Sequence, residues 1–257
     1  MKNEHPRVKF EVAKFSHVIN PLIYFLNPKE GDWNWSGIIL NRYPALRKNL
    51  DNLDDFEERK RTISGFFKSL MKENRKDFED KVEVFQGEWN RVSESYMNAL
   101  EEVLEFKWPE KDKIITAFIG PNPICPRNIT QRTFDICYQF DLDKLKALSF
   151  HEILHFAYFE KWKQVFPETN KGEFDRPHLV WHLSEMVPGI ILNDERFQEI
   201  FKHRHNVYKV YCDLKINGKF LLGYLREFYE SRENFEDFLR KSWDFVNKHN
   251  GEILAAK

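Results

Sequence analysis

The feature that most constrains this chain is an apolar segment, residues 148–157 (LSFHEILHFA), which carries two histidines and a glutamate in the pattern H-E-x-x-H. Neither Pro nor Gly interrupts the segment, so it predicts a helix. On a helix, His151 and His155 lie one turn apart on the same face, and both imidazoles can bind one metal ion. Glu152 lies beside them and can accept a proton from a metal-bound water.

Two histidines and a glutamate in an apolar helix are costly to bury unless something compensates them, and a metal ion would do so. The alternative is that His151 and His155 are core residues whose ring nitrogens have hydrogen-bond partners within the protein. The uninterrupted helix pattern and the presence of all three polar side chains favour the metal site.

Zinc needs a third protein ligand, and a catalytic site keeps the fourth position for water. Three downstream residues, His178, His182 and Glu185, are spaced i, i+4 and i+7, so they share one face if they lie on a helix. Glu185 is a carboxylate among apolar residues, which favours it as the third ligand. His182 and His178 remain the alternatives.

The overall composition is that of a soluble globular protein. Of 257 residues, 42% are hydrophobic and 32% are charged, and the net charge of −1 gives no electrostatic attraction to nucleic acid or to an anionic membrane. We therefore expect neither as a partner. No run of 18 apolar residues suggests a transmembrane helix. The three cysteines and an N-terminus without a signal-peptide profile predict a cytoplasmic protein.

The periodicity of the chain predicts an α+β fold that is predominantly helical, with a small mixed sheet next to the H-E-x-x-H helix. Apolar residues recur at helical spacing from about 51 to 106, with a break expected near Gly87. A helix from about 142 to 166 carries the motif, and either Asp141 or Asp143 can cap it. A further helix is expected over 178–201, interrupted or kinked at Pro188-Gly189, and helical patterning returns near the C-terminus.

Strands are expected where apolar and β-branched residues cluster between turn signals: within 7–19, over 114–119 and over 133–140. The last of these could hold an extended substrate by adding it as a further strand. The sequence pattern changes from helical periodicity to a β-rich run near Trp108-Pro109. We therefore predict a mainly helical N-terminal lobe over residues 1–107 and a metal-binding region with a helical C-terminal part over residues 108–257.

In His151, Glu152, His155 and Glu185, the chain resembles the zincin metallopeptidases, and among them the gluzincins, which include thermolysin-like and aminopeptidase-like enzymes. The resemblance covers about residues 110–205. It implies a zincin-like fold with one Zn²⁺ per chain bound by His151, His155 and Glu185. It also implies hydrolysis of a peptide or protein substrate, with Glu152 as the general base.

The sequence departs from the gluzincin pattern beside the third ligand. Ser184 stands where the family usually has Asn, and Met186 stands where Gly often follows the glutamate. An oxyanion-stabilising donor and partners that orient the ligand histidines are also expected. The candidates for the donor are His203, His205, Tyr208 and Tyr211, and those for the orienting partners are Asn193, Asp194 and Ser184.

Other functions fit the same residues. A zincin scaffold can retain its metal without proteolysis and serve in binding or regulation. A helical protein could instead build a different centre, with one or two metals, from four histidines and two glutamates: His151, His155, His178, His182, Glu152 and Glu185. A protein that binds no metal and acts only through interactions is the remaining alternative. Neither the cleavage specificity nor the oligomeric state follows from the sequence.

Overall fold

Helices form most of the chain, and the strands belong to small sheets. The computed structural model describes residues 5–27, 33–109, 114–202 and 204–256. The helices are α1 (Phe15–Leu26), α2 (Trp35–Arg42), α3 (Pro44–Leu50), α4 (Phe56–Glu73), α5 (Arg75–Leu104), α6 (Leu142–Val165), α7 (Leu179–Met186), α8 (Pro188–Ile191), α9 (Glu195–Phe201), α10 (Lys209–Asp213), α11 (Leu221–Glu230), α12 (Phe235–Lys248) and α13 (Asn250–Ala255). The strands are β1 (Arg7–Val12), β2 (Ile114–Gly120), β3 (Arg127–Asn128), β4 (Thr133–Cys137), β5 (Lys215–Ile216) and β6 (Lys219–Phe220).

The predicted α+β class, mostly helical with a small mixed sheet, is confirmed. The chain forms two compact units, each discontinuous in sequence. The sheet unit contains Arg7–Asn90 and Ile114–Leu145, and the histidine unit contains the described residues of Met1–Pro6, Arg91–Lys113 and Lys146–Lys257. Neither unit coincides with the predicted segments 1–107 and 108–257, whose independence as domains stays a prediction.

The four-stranded sheet of the sheet unit has the order β1-β2-β4-β3. Its first three strands are parallel, and the short β3 runs antiparallel to β4. Burial alternates along β2, where Ile115, Ala117 and Ile119 are inaccessible to solvent. A core cluster in the same unit draws most of its apolar side chains from the helices α1, α2, α3 and α4. This packing supplies the hydrophobic burial that holds the helices together.

The histidine unit packs large aromatic side chains around the buried part of α6. Trp162 is inaccessible to solvent, its ring centroid lies 5.2 Å from that of Trp243, and its indole N–H donates to the Thr169 hydroxyl. The buried hydroxyl of Tyr96 donates to the carbonyl oxygen of Phe150, the residue before His151. The Tyr96 contact therefore holds α6 next to His151, and the Trp162 contacts hold it near its C-terminal end.

Two expected helix boundaries differ from the observed ones. Helix α5 runs from Arg75 to Leu104 and continues through Gly87, so the break expected there is wrong. The predicted helix over 178–201 is interrupted at Pro188, as expected, and is divided again between α8 and α9, where no break was expected. Pro188 begins α8, where its missing N–H would in any case have no intrahelical partner. Across the stretches that the structure describes, no helix combines the length and apolar character that crossing a membrane requires.

Candidate metal centre

Helix α6 presents the two histidines of the motif. The backbone N–H of Lys144 donates to Oδ1 of Asp141 at 2.8 Å, so Asp141 rather than Asp143 caps the start of the helix. One turn separates His151 from His155, as expected from their spacing. The His151 side chain is 14% exposed, whereas that of His155 is 1% exposed. The pair therefore extends from a partly accessible position into the protein interior.

Helix α7 carries the predicted third ligand. All residues from Val180 to Met186 are buried, including the polar side chains of His182, Ser184 and Glu185. Ser184 satisfies its hydroxyl within the helix by donating to the Trp181 carbonyl oxygen at 2.8 Å. Glu185 has a side chain that is only 1% exposed. A carboxylate so deeply buried is costly unless cationic or hydrogen-bonding groups face it.

Both histidines of α6 face Glu185. Oε2 of Glu185 lies 3.3 Å from Nε2 of His151, and Oε1 lies 3.6 Å from Nε2 of His155. The two Nε2 atoms are 2.8 Å apart. Within the described part of the chain, these three residues form a group whose ligand atoms all lie within 4.8 Å of one another and could hold a metal ion. We call them the His₂Glu triad.

The donor set of the triad fits a divalent transition metal. Two imidazole nitrogens and one carboxylate oxygen suit zinc, whereas magnesium and calcium prefer oxygen ligands throughout. Tetrahedral ligands at zinc-like bond lengths are separated by about 3.3 Å. The two Nε2 atoms are 2.8 Å apart, and Nε2 of His151 lies 3.3 Å from Oε2 of Glu185, so both separations are near that value. The residues present therefore fit a small tetrahedral cation.

The two alternative third ligands lie outside the triad. His178 is an exposed residue at the N-cap of α7, not within the helix as its spacing predicted. His182 is buried, and its Nδ1 lies 2.8 Å from the Tyr211 hydroxyl. The His182 ring also hydrogen-bonds the backbone of Pro177, which can only accept. These contacts hold His182 outside the triad, so they do not favour a two-metal centre built on all four histidines.

Burial, and to a smaller extent the nearby Arg176 guanidinium, lower the pKa of His182 to about 4 against the opposing effects of Glu185 and of the hydrogen bond to Pro177. His182 is therefore neutral at physiological pH. Burial also raises the pKa of Tyr211, and the negative charge of Glu185 adds to that shift. The Tyr211 hydroxyl consequently stays protonated and can donate to His182.

Of the predicted orienting partners, Asn193 does not contact a triad histidine directly but holds His205, which contacts His151. Asn193 lies between α8 and α9, where its Oδ1 accepts the His205 N–H at 2.9 Å and its Nδ2 donates to the His205 carbonyl at 2.8 Å. The buried His205 in turn places Nε2 3.0 Å from Nδ1 of His151. Asp194 instead caps α9 and accepts from Tyr229. The sequence pointed to His205 only as an oxyanion donor and missed this contact with a ligand.

The predicted oxyanion donors have different surroundings. Nε2 of His205 faces His151, and the hydroxyl of Tyr211 faces His182. Tyr208 is exposed, and His203 lies outside the described residues. The assignment of an oxyanion donor stays a prediction. Glu152 follows His151 on α6 and is 5% exposed, and its role as a general base also stays a prediction.

Comparison of the chain with protein-family models, with curated proteins and with solved structures gave no match. The resemblance to the zincin metallopeptidases therefore depends on His151, Glu152, His155 and Glu185 alone, and membership of that family stays a prediction. The structure adds that three of these four side chains converge.

Proposed function

We propose that this protein is a zinc-dependent peptidase with a zincin-like metal site. The observation that carries the proposal is the convergence of His151, His155 and Glu185, whose ligand atoms lie within 4.8 Å of one another. Two histidines and one glutamate are the protein ligands of thermolysin-type catalytic zinc sites. We place the activity in the cytoplasm, because the three cysteines are free and few.

In this proposal His151, His155 and Glu185 hold the zinc ion, and Glu152 moves the proton. Bound zinc supplies Lewis acidity, which lowers the pKa of water and polarises a carbonyl group. The Glu152 carboxylate accepts a proton from the attacking water and then passes it to the leaving amine. The peptide bond gains one water molecule in total, yielding a carboxylic acid and an amine. Burial of Glu152 excludes bulk water from the proton that it carries.

Substitution of Glu152 by Gln separates metal binding from catalysis. The Glu152→Gln variant is expected to retain about one zinc per chain and to lose peptide hydrolysis, measured by mass spectrometry on a mixed peptide library. Glu160→Gln is the matched control, because Glu160 lies on the same helix but pairs with the surface residue Lys163. Equal hydrolysis by the wild type and the Glu152→Gln variant would refute the assignment of the general base.

A second candidate function is metal binding without hydrolysis, in a binding or regulatory role. The limited access to the triad favours it, since the side chains of His155 and Glu185 are each only 1% exposed. A substrate carbonyl must approach the metal closely, whereas a structural ion needs no such access. Zinc bound at one per chain, with no hydrolysis of any library peptide by the wild type, would select this function over the peptidase.

A further inference from the structure

We infer that His205 is a positioning residue that sets the tautomer and orientation of His151 for metal binding. The inference rests on the proposed metal site. It assigns to His205 a role that is different from oxyanion stabilisation, and it is carried by the 3.0 Å contact between Nδ1 of His151 and Nε2 of His205.

The two ring nitrogens of His151 face different groups. Nε2 points to the triad, 2.8 Å from Nε2 of His155 and 3.3 Å from Oε2 of Glu185. A metal ligand must offer a lone pair, so the ring proton of His151 has to reside on Nδ1. That N–H then needs an acceptor, and Nε2 of His205 lies where it can accept.

This arrangement also fixes the state of His205. Nε2 can accept only as a lone pair, so His205 is neutral and carries its proton on Nδ1. The two rings are inclined by 31°, with their centroids 5.2 Å apart. His205 is itself buried, which limits the access of water that would compete for the His151 proton.

Asn193 holds the backbone of His205 in place. Its amide group makes both hydrogen bonds to that residue, accepting from the N–H and donating to the carbonyl, and it also donates to the Gly189 carbonyl at 2.8 Å. Gly189 belongs to α8, which follows the helix that carries Glu185. Contacts therefore run from the neighbourhood of the carboxylate ligand through Asn193 and His205 to the first histidine ligand.

The test measures zinc affinity by competition with a chromophoric chelator. His205→Phe keeps a planar ring but has no acceptor, and it is expected to weaken zinc binding by about 10–100-fold. His205→Gln can place an amide oxygen near the position of Nε2, and it should recover most of the affinity. Thr169→Val is the control, because it removes a hydrogen bond to Trp162 of the same helix. Its affinity should equal that of the wild type.

Nuclear magnetic resonance of the zinc-loaded wild type tests the same inference without a variant. Long-range ¹H–¹⁵N correlations should show the proton on Nδ1 in both His151 and His205. A His205 proton on Nε2, or wild-type zinc affinity in a folded His205→Phe variant, would overturn the positioning role while leaving the triad intact. Failure of the wild type to bind zinc would instead overturn the proposed metal site together with this inference.

Discussion

The rise in folding stability that zinc causes should depend strongly on Glu185, because Glu185 joins the two histidines only in the folded chain. His151 and His155 are neighbours on one helix, so a locally helical unfolded chain can still present them as a pair. Glu185 lies on α7, and only the folded chain brings its carboxylate within 3.3–3.6 Å of the two Nε2 atoms. The perturbation that isolates this tertiary contribution is Glu185→Gln, which removes the anionic ligand and nearly preserves the side-chain volume.

The expected magnitude follows from binding linkage. A ligand that binds only the folded state at 100 times its dissociation constant adds about 2.7 kcal/mol to the free energy of unfolding. For a chain of this size, each 1 kcal/mol raises the melting temperature by about 2–4 °C. Saturating zinc should therefore raise the melting temperature of the wild type by about 5–10 °C. The Glu185→Gln variant should lose most of that rise, because the histidine pair that remains is partly available in the unfolded chain.

Thermal unfolding followed by circular dichroism, with and without zinc, measures this difference. Magnesium is the control ion, because it prefers oxygen ligands and should leave the melting temperature unchanged. Glu168→Gln is the control variant, since Glu168 is an exposed loop residue of the same unit and should respond to zinc as the wild type does. The reasoning fails if zinc raises the melting temperature of the Glu185→Gln variant as much as that of the wild type.

Three further predictions concern the scaffold. The Asp135 carboxylate, accepting a hydrogen bond, raises the pKa of His17 against the opposing effect of burial. Where Asp135 is ionised, the stabilisation from the charged His17 is therefore complete below pH 6.5 and is lost as the pH rises through the higher folded pKa of His17. Burial raises the pKa of Asp135 as well, so the test stays at and above pH 6. Urea unfolding at pH 6 and pH 9 should show a larger loss in the wild type than in His17→Gln. A Cβ at Gly189 would lie 2.8 Å from Cγ1 of Val207, so Gly189→Ala should cost about 1–3 kcal/mol, and adding Val207→Ala should restore part of it. Trp162→Ala, at a fully buried position, should cost about 3–5 kcal/mol in the same assay, and a loss below 1 kcal/mol would contradict the packing.

The part of the site that lies on one helix could be predicted from the sequence. Helix geometry makes residues four apart neighbours, so the approach of His151 to His155 needs no knowledge of tertiary structure. The position of Glu185 relative to them depends on how α6 and α7 pack, which periodicity does not determine. The preference for Glu185 came from the rarity of a carboxylate in an apolar segment, and that same burial is visible in the structure.

The contacts of His182 and His205 could not be predicted, because both depend on residues distant in sequence. His182 meets Tyr211 and His205 meets His151, at separations of 29 and 54 residues. Their spacing places His182 and Glu185 on the same helix face, so spacing does not distinguish them as metal ligands. The deciding factor is the position of the hydroxyl of Tyr211, which the sequence does not encode locally.

The three longer strands, β1, β2 and β4, and most helices could be predicted because their patterns are local, whereas the two-residue strands β3, β5 and β6 were not predicted. The wrong break at Gly87 shows the limit of a single-residue signal. Glycine costs a helix about 1 kcal/mol relative to alanine, but the buried side chains of Phe85 and Trp89 lie on either side of it and offset that cost. The observed break lies earlier, at Asn74, where α4 ends and before α5 begins. The Asn74 side chain donates to the Leu70 carbonyl at 2.8 Å and so competes with the backbone N–H groups of the helix.

The central claim, that one metal ion binds to the triad, is tested most directly by a crystal structure of the zinc-loaded protein with anomalous diffraction at the zinc edge. We predict one strong anomalous peak per chain, about 2.0–2.2 Å from Nε2 of His151, Nε2 of His155 and a carboxylate oxygen of Glu185. A peak bound by His178 or His182 in place of Glu185, or no peak between α6 and α7, would contradict it.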